Sequence, residues 1–161
     1  MGLVGRIYSA AFAAEMAVAA ALDYVDLGWD DAQVLALCEA LRAAHVGGGL
    51  TKLTRLYLSY NRMGDVAVAA LVALIEEGAM PKLKELYLHH NQISVVGVAA
   101  LASALRGGAL PSCTYIGLSG NPGRCRRRKS VDAPMEEALA SPERKAALAR
   151  PSVGRAVGRA A

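Results

Sequence analysis

The sequence predicts an α/β fold: a short right-handed solenoid, or horseshoe segment, with parallel strands on the concave face and helices on the convex face. Three observations predict it. One phrase occurs three times, as Leu53-Thr-Arg-Leu56-Tyr-Leu58-Ser-Tyr-Asn61, Leu83-Lys-Glu-Leu86-Tyr-Leu88-His-His-Asn91 and Cys113-Thr-Tyr-Ile116-Gly-Leu118-Ser-Gly-Asn121. Its closing asparagines fall thirty residues apart, twice in succession, a period typical of repeat architectures. Between the phrases the apolar spacing changes from two to three and four, as it does where a strand gives way to a helix.

Each element follows from this pattern. In a strand, alternate side chains share a face, so Leu56 and Leu58, Leu86 and Leu88, and Ile116 and Leu118 point together into a core. The closing Asn is polar at a bend, and its amide needs partners. Backbone groups of its own and adjacent turns supply them, so the asparagines form a ladder along the stack. Val68, Leu71 and Ile75 then match Val98, Leu101 and Leu105 at helical offsets. Gly78-Ala-Met-Pro81 and Gly108-Ala-Leu-Pro111 stop the two helices in the same way, with Gly at the end and Pro just beyond. No unit can bury its leucines alone, so each depends on its neighbours.

A worn first copy is read at Leu22-Asp-Tyr-Val25-Asp-Leu27-Gly-Trp-Asp30, with Asp30 or its neighbour Asp31 in place of the ladder Asn and a length of thirty-one residues. A helix through Val34, Leu37 and Leu41 follows, ended by Gly47-Gly-Gly49. The organisation expected is therefore an N-terminal capping helix or incomplete repeat over 1–21, four strands and about four helices over 22–122, and a basic tail over 123–161. Within the tail, Pro134 to Leu139 and Pro142 to Leu148 read as a broken capping helix using Met135, Leu139 and Leu148. Residues 150–161 have too little apolar content to fold alone.

Asn91-Gln-Ile93 followed by Gly97-Val-Ala-Ala-Leu101-Ala-Ser-Ala-Leu105 resembles the leucine-rich repeats of the ribonuclease-inhibitor type. The resemblance covers about residues 22–122 and implies a full helix on the convex side of each repeat. It implies a binding module more than one activity, because relatives include inhibitors, GTPase activators and immune sensor domains. Fold alone does not select among these.

Composition bounds the rest. Residues 123–161 carry ten Lys/Arg against four Asp/Glu, and the remainder carries eight against ten, so the basic balance belongs to the tail. Cys38, Cys113 and Cys125 form no C-x-x-C pair and suit a reducing, cytoplasmic compartment. The run Arg124-Cys-Arg126-Arg-Arg128-Lys129 offers an alternative nuclear address or a phosphate contact, but no aromatic interleaves it, which argues against nucleic-acid stacking. Residues 7–22 are apolar but interrupted by Glu15, and read better as a capping helix than as a signal peptide cleaved after Ala19. No run reaches the length of a membrane span.

Candidate binding residues are those whose strand positions point away from the core: Tyr24, Asp26 and Trp29; Arg55, Tyr57, Ser59 and Tyr60; Glu85, Tyr87, His89 and His90; Tyr115 and Ser119. Six of the chain's eight aromatics fall in this set. Tyr and Trp give large rigid contact area with a polar handle, so a protein partner on the concave face is the leading expectation. Cross-strand stacking alone also favours aromatics there, and Arg55 beside Glu85 reads as an ion pair. His89-His90 lacks a third ligand, and no catalytic or phosphate-binding motif occurs, so neither enzyme chemistry, cofactor nor metal is expected. The other readings are a GTPase activator using Arg62 on the loop rim, and a nucleic-acid-associated protein using the tail. The solenoid would act as a monomer or as part of a longer array.

Overall fold

The computed structural model describes residues 15, 16, 18–123 and 133–149. Four strands, β1 (Ala21–Asp23), β2 (Arg55–Tyr57), β3 (Glu85–Tyr87) and β4 (Tyr115–Gly117), form one parallel sheet in chain order. Helices α1 (Asp31–Val46), α2 (Asp65–Glu76) and α3 (Val95–Arg106) follow the first three strands. Two short helices, α4 (Ala133–Ala140) and α5 (Pro142–Ala149), close the C-terminal end. This is the expected solenoid of strands alternating with helices.

The leucine step sets the register. Leu56 pairs with Leu86 and Leu86 with Ile116, and all three are buried with Leu58, Leu88 and Leu118. Opposite them α2 buries Val68, Leu71 and Ile75, while α3 buries Leu101 and Leu105. Gly78 and Gly108 stand just past these helices at φ +79° and +90°, a left-handed turn that a side chain would strain.

The asparagine ladder forms, and each amide reaches back one repeat. Asn91 Nδ2 donates to Leu58 O at 2.9 Å, and its Oδ1 accepts from Met63 N–H at 3.2 Å. Asn121 does the same with Leu88 O and Ile93 N–H. Asn61 bonds Tyr24 O and the N–H groups of Leu27 and Trp29. The ladder thus joins repeats as well as closing bends.

The first copy corrects the sequence reading. Leu22 pairs with Leu56, not with Leu53, so this strand lies three residues earlier than expected. The step from Ala21 to Arg55 is 34 residues, against 30 from Arg55 to Glu85. The extra four lie in α1, which has 16 residues where α2 and α3 have 12, about one more turn. Val25 and Leu27 are consequently exposed and not core. Asp30 is no ladder residue either. It caps α1, accepting from Ala32 N–H while Gln33 bonds back to its own N–H. The first copy needs no Asn of its own, because Asn61 serves its bend.

A second inter-repeat ladder was not anticipated. Asp31, the first residue of α1, accepts from Gly64 N–H at 2.6 Å and from Ala67 N–H. Asp65, one repeat on, accepts from the N–H groups of Ser94 and Gly97 and from the Ser94 hydroxyl. The Ser94 hydroxyl, ahead of the two backbone donors, holds the Asp65 carboxyl below its ordinary value. Gly97 leaves the room this needs, since an added Cβ would meet Asp65 Oδ1 at 2.5 Å.

The C-terminal cap forms as two short helices and uses Leu139 as expected, but not Leu148. Ala138 is fully buried and Leu139 packs on the core, but Leu148 is 43% exposed. The Met135 side chain lies outside the described residues, as do residues 1–14, Arg124 to Lys129 and residues 150–161. Arg144 does what the leucine was expected to do. It is buried, and its guanidinium donates to the carbonyls of Leu105, Ala109, Leu110 and Cys113, which end α3 and lead into β4. Cys38 and Cys113 are buried free thiols, and burial pushes Cys38 up to about 11. Cys125 lies outside the described residues. Among the described residues no helix is long and apolar enough to cross a membrane.

Candidate functional site

Strand register decides which side chains share the concave face. One row runs Ala21, Arg55, Glu85, Tyr115, and the next runs Asp23, Tyr57, Tyr87, Gly117. Beyond the strands, Asp26, Tyr60 and His90 occupy equivalent left-handed positions at φ +56°, +60° and +52°. Gly120 continues that row at φ +81°.

The rings stack along these rows. Tyr57 and Tyr87 lie 4.7 Å apart at 14°, and Tyr60 and His90 lie 4.5 Å apart, also at 14°. Tyr115 comes from the neighbouring row, beside Glu85, and leans on Tyr87 at 50° with centroids 5.2 Å apart. Strands about 4.8 Å apart place equivalent side chains at stacking distance, so the repeat itself builds the ladder.

Polar contacts fix it in place. The Tyr87 hydroxyl donates to Glu85 Oε2 at 2.9 Å, and this bond, followed by burial, raises the phenol above its ordinary value. The backbone N–H of Ser119 donates to His89 Nδ1, which also lies 2.7 Å from the Ser119 hydroxyl. Because an N–H can only donate, Nδ1 is the accepting nitrogen and the ring proton sits on Nε2, 3.2 Å from the Tyr115 hydroxyl. His89 leans over Gly117, and His90 over Gly120; a Cβ at either glycine would collide with the imidazole. Gly117 at the end of β4 and Gly120 just beyond it therefore make the space that the two imidazoles fill.

Several candidates are placed differently from expectation. Tyr24 stands where later repeats have Leu58 and Leu88, so it packs on the core and does not face outward. Trp29 stands where they have Met63 and Ile93, and stacks on Tyr24 at 4.9 Å. The pair substitutes for aliphatic residues at the N-terminal end of the core, and burial raises the Tyr24 hydroxyl above its ordinary value. Ser59 is buried and accepts from His89 N–H. Arg55 and Glu85 form no ion pair; among the described residues Arg42–Glu77 is the one present, at 2.8 Å. Arg55 is held above its ordinary value first by the Tyr57 hydroxyl, while Glu85 is taken by Tyr87. Arg62 lies exposed on the rim, its backbone N–H bonded to Trp29 O. Among the described residues no group of three His, Cys, Asp or Glu could hold a metal. The residue that sequence reading missed on this face is Asp23, which enters it only when the β1 register is shifted.

The family model described as Leucine Rich repeat matches residues 49–72 and 79–102. These spans contain β2, β3 and the greater part of α2 and α3. The fold is a short leucine-rich-repeat solenoid. A solved structure titled Leiomodin-1 Actin-Binding Site 2 (ABS2) is similar to it, with a TM-score of 0.60 at 14% identity. That match covers 86% of this chain and 74% of the other. Such an identity speaks to the fold alone. No curated protein matches.

Proposed function

We propose that this protein is a non-catalytic interaction module that binds a protein partner through its concave strand face. The observation that carries the reading is the aromatic ladder of Tyr57, Tyr87 and Tyr115, flanked by Tyr60 stacked on His90. Rigid, pre-stacked rings lose little entropy when a partner covers them, and their hydroxyls add direction. Arg55, Glu85, His89 and Asp26 form the polar surround, whereas Tyr24, Trp29 and Ser59 support it from behind.

The thirty-residue steps and full helices support the ribonuclease-inhibitor-like subtype, with residues 22–122 as the repeat unit and the segments 1–21 and 123–161 as its ends. Free buried thiols support a reducing, cytoplasmic setting. The structural neighbour's title names an actin-binding site, which makes actin the first defined partner to offer.

The test compares wild type, Tyr57→Ala/Tyr87→Ala and the convex control Glu39→Ala in pulldown from lysate and in co-sedimentation with actin, after matched melting curves. Capture retained by wild type and by Glu39→Ala but lost by the tyrosine variant supports the reading. Equal recovery by all three moves the site off the concave face.

A further inference from the structure

Both ring stacks on the concave face begin in the same way. Ahead of Tyr57–Tyr87 in its row stands Asp23, paired with Tyr57 by register. Ahead of Tyr60–His90 stands Asp26, whose backbone N–H bonds Ser59 O, directly before Tyr60. Each ladder is thus a carboxylate followed by stacked rings. Tyr57 and Tyr60 each stack one ring face on the equivalent residue of the next repeat, Tyr87 and His90, which leaves the other face on the side of the first repeat, where Asp23 and Asp26 hold the equivalent positions. Asp23 and Asp26 are exposed, and neither forms an ion pair among the described residues. Asp23 commits one oxygen to Val25 N–H, which leaves the other available.

We propose that the β1 end of this face is a cation-binding notch, in which a Lys or Arg side chain of an extended partner segment sits between Asp23, Asp26 and the outer faces of Tyr57 and Tyr60. Ring faces are negative, as are carboxylates, so both attract the same cation. The charge on the face agrees: Asp23, Asp26 and Glu85 stand against Arg55 alone, and Glu85 is already bonded by Tyr87. A segment lying across the strands would set its cationic side chain at β1 and run along the rings toward Tyr115. This rests on the concave face being the binding face, and it adds the chemistry of the partner.

The probe is a phage-displayed library of random linear peptides, selected against the full chain. Wild type is expected to enrich peptides carrying Lys or Arg. Asp23→Asn/Asp26→Asn, which keeps the shape and the Val25 bond, should weaken those peptides about ten-fold, and norleucine in place of the peptide's Lys should cost as much. The two losses should not add, because they remove one contact. Selected peptides without cationic enrichment, or equal binding by the Asn variant, would overturn the notch. If Tyr57→Ala/Tyr87→Ala still abolished such binding, the concave-face reading would survive. Peptides indifferent to the tyrosines, or no selection at all, would contradict both. A synthetic peptide of residues 150–161 that fills the notch would instead make the chain's own end the occupant and overturn the assignment to a partner.

Discussion

The two inner repeats, carried by β2 and β3, are near copies, whereas the outer two differ from them and from each other. Inner repeats have a neighbour on both sides, so each Asn bonds backward and each bend is bonded from ahead. The first repeat only receives. It has Leu27 at the ladder position and fills its end of the core with Tyr24 and Trp29. The last repeat is closed by Arg144, whose guanidinium takes four carbonyls between the end of α3 and the start of β4. Position in the stack, more than intrinsic propensity, decides which residue type each site requires.

Four substitutions, two of them paired with a control elsewhere in the stack, sharpen this contrast. The largest effect is expected at Asn91→Ala, which strips the buried Met63 N–H of its acceptor and removes one of two donors from the carbonyls of Leu58, Leu88 and His89. A loss of about 3 kcal/mol should appear in urea unfolding, while Leu27→Asn at the equivalent outer position should change stability by less than about 0.5 kcal/mol.

Arg144→Leu comes next, at about 2 kcal/mol, because the carbonyls of Ala109 and Cys113 lose their donor and those of Leu105 and Leu110 keep only a backbone N–H. Its signature is local. Amide exchange should quicken at the end of α3 and around Cys113 and stay unchanged in α1.

Asp65→Ala removes one rung of the helix-start ladder and should cost about 1 kcal/mol by thermal melting. Its carboxyl lies below the ordinary value when folded. Its contribution is therefore complete above the unfolded carboxylate range and disappears as pH falls through the folded value. The acid limb of stability against pH should accordingly be shallower in Asp65→Ala. Val95→Asp, which puts a carboxylate at the equivalent position of the next helix, should restore nothing.

Apart from the controls at Leu27 and Val95, the smallest effect on stability is expected from Tyr57→Ala, about 0.5 kcal/mol, since half-exposed cross-strand pairs contribute little. A loss as large as that of Asn91→Ala would make the aromatic ladder part of the core and not a prepared surface.

The inner repeats were legible in the sequence because three signals coincide there: the leucine step, the Asn, and the glycine stop. The first copy misled because Leu22, Val25 and Leu27 fit the phrase at the wrong offset, and the added turn of α1 hid the true step. With the register off by three, Tyr24 and Trp29 read as outward and Asp23 was overlooked. Arg144 was illegible for another reason. A lone arginine in a charged stretch reads as solvated, and only the fold brings it to the end of α3, some thirty-five residues back in the chain. The histidines were visible as strand residues, but the space that Gly117 and Gly120 make for them was not.

The central claim, a concave binding face, is tested most directly by photo-cross-linking from both sides of one repeat. Benzoylphenylalanine replaces Tyr57 on β2 in one protein and the exposed Ala73 on α2 in another. After irradiation in lysate, and with purified actin, discrete adducts should form from position 57 and not from position 73. Adducts from 73 alone would put the partner on the convex helices and contradict the concave face as the site.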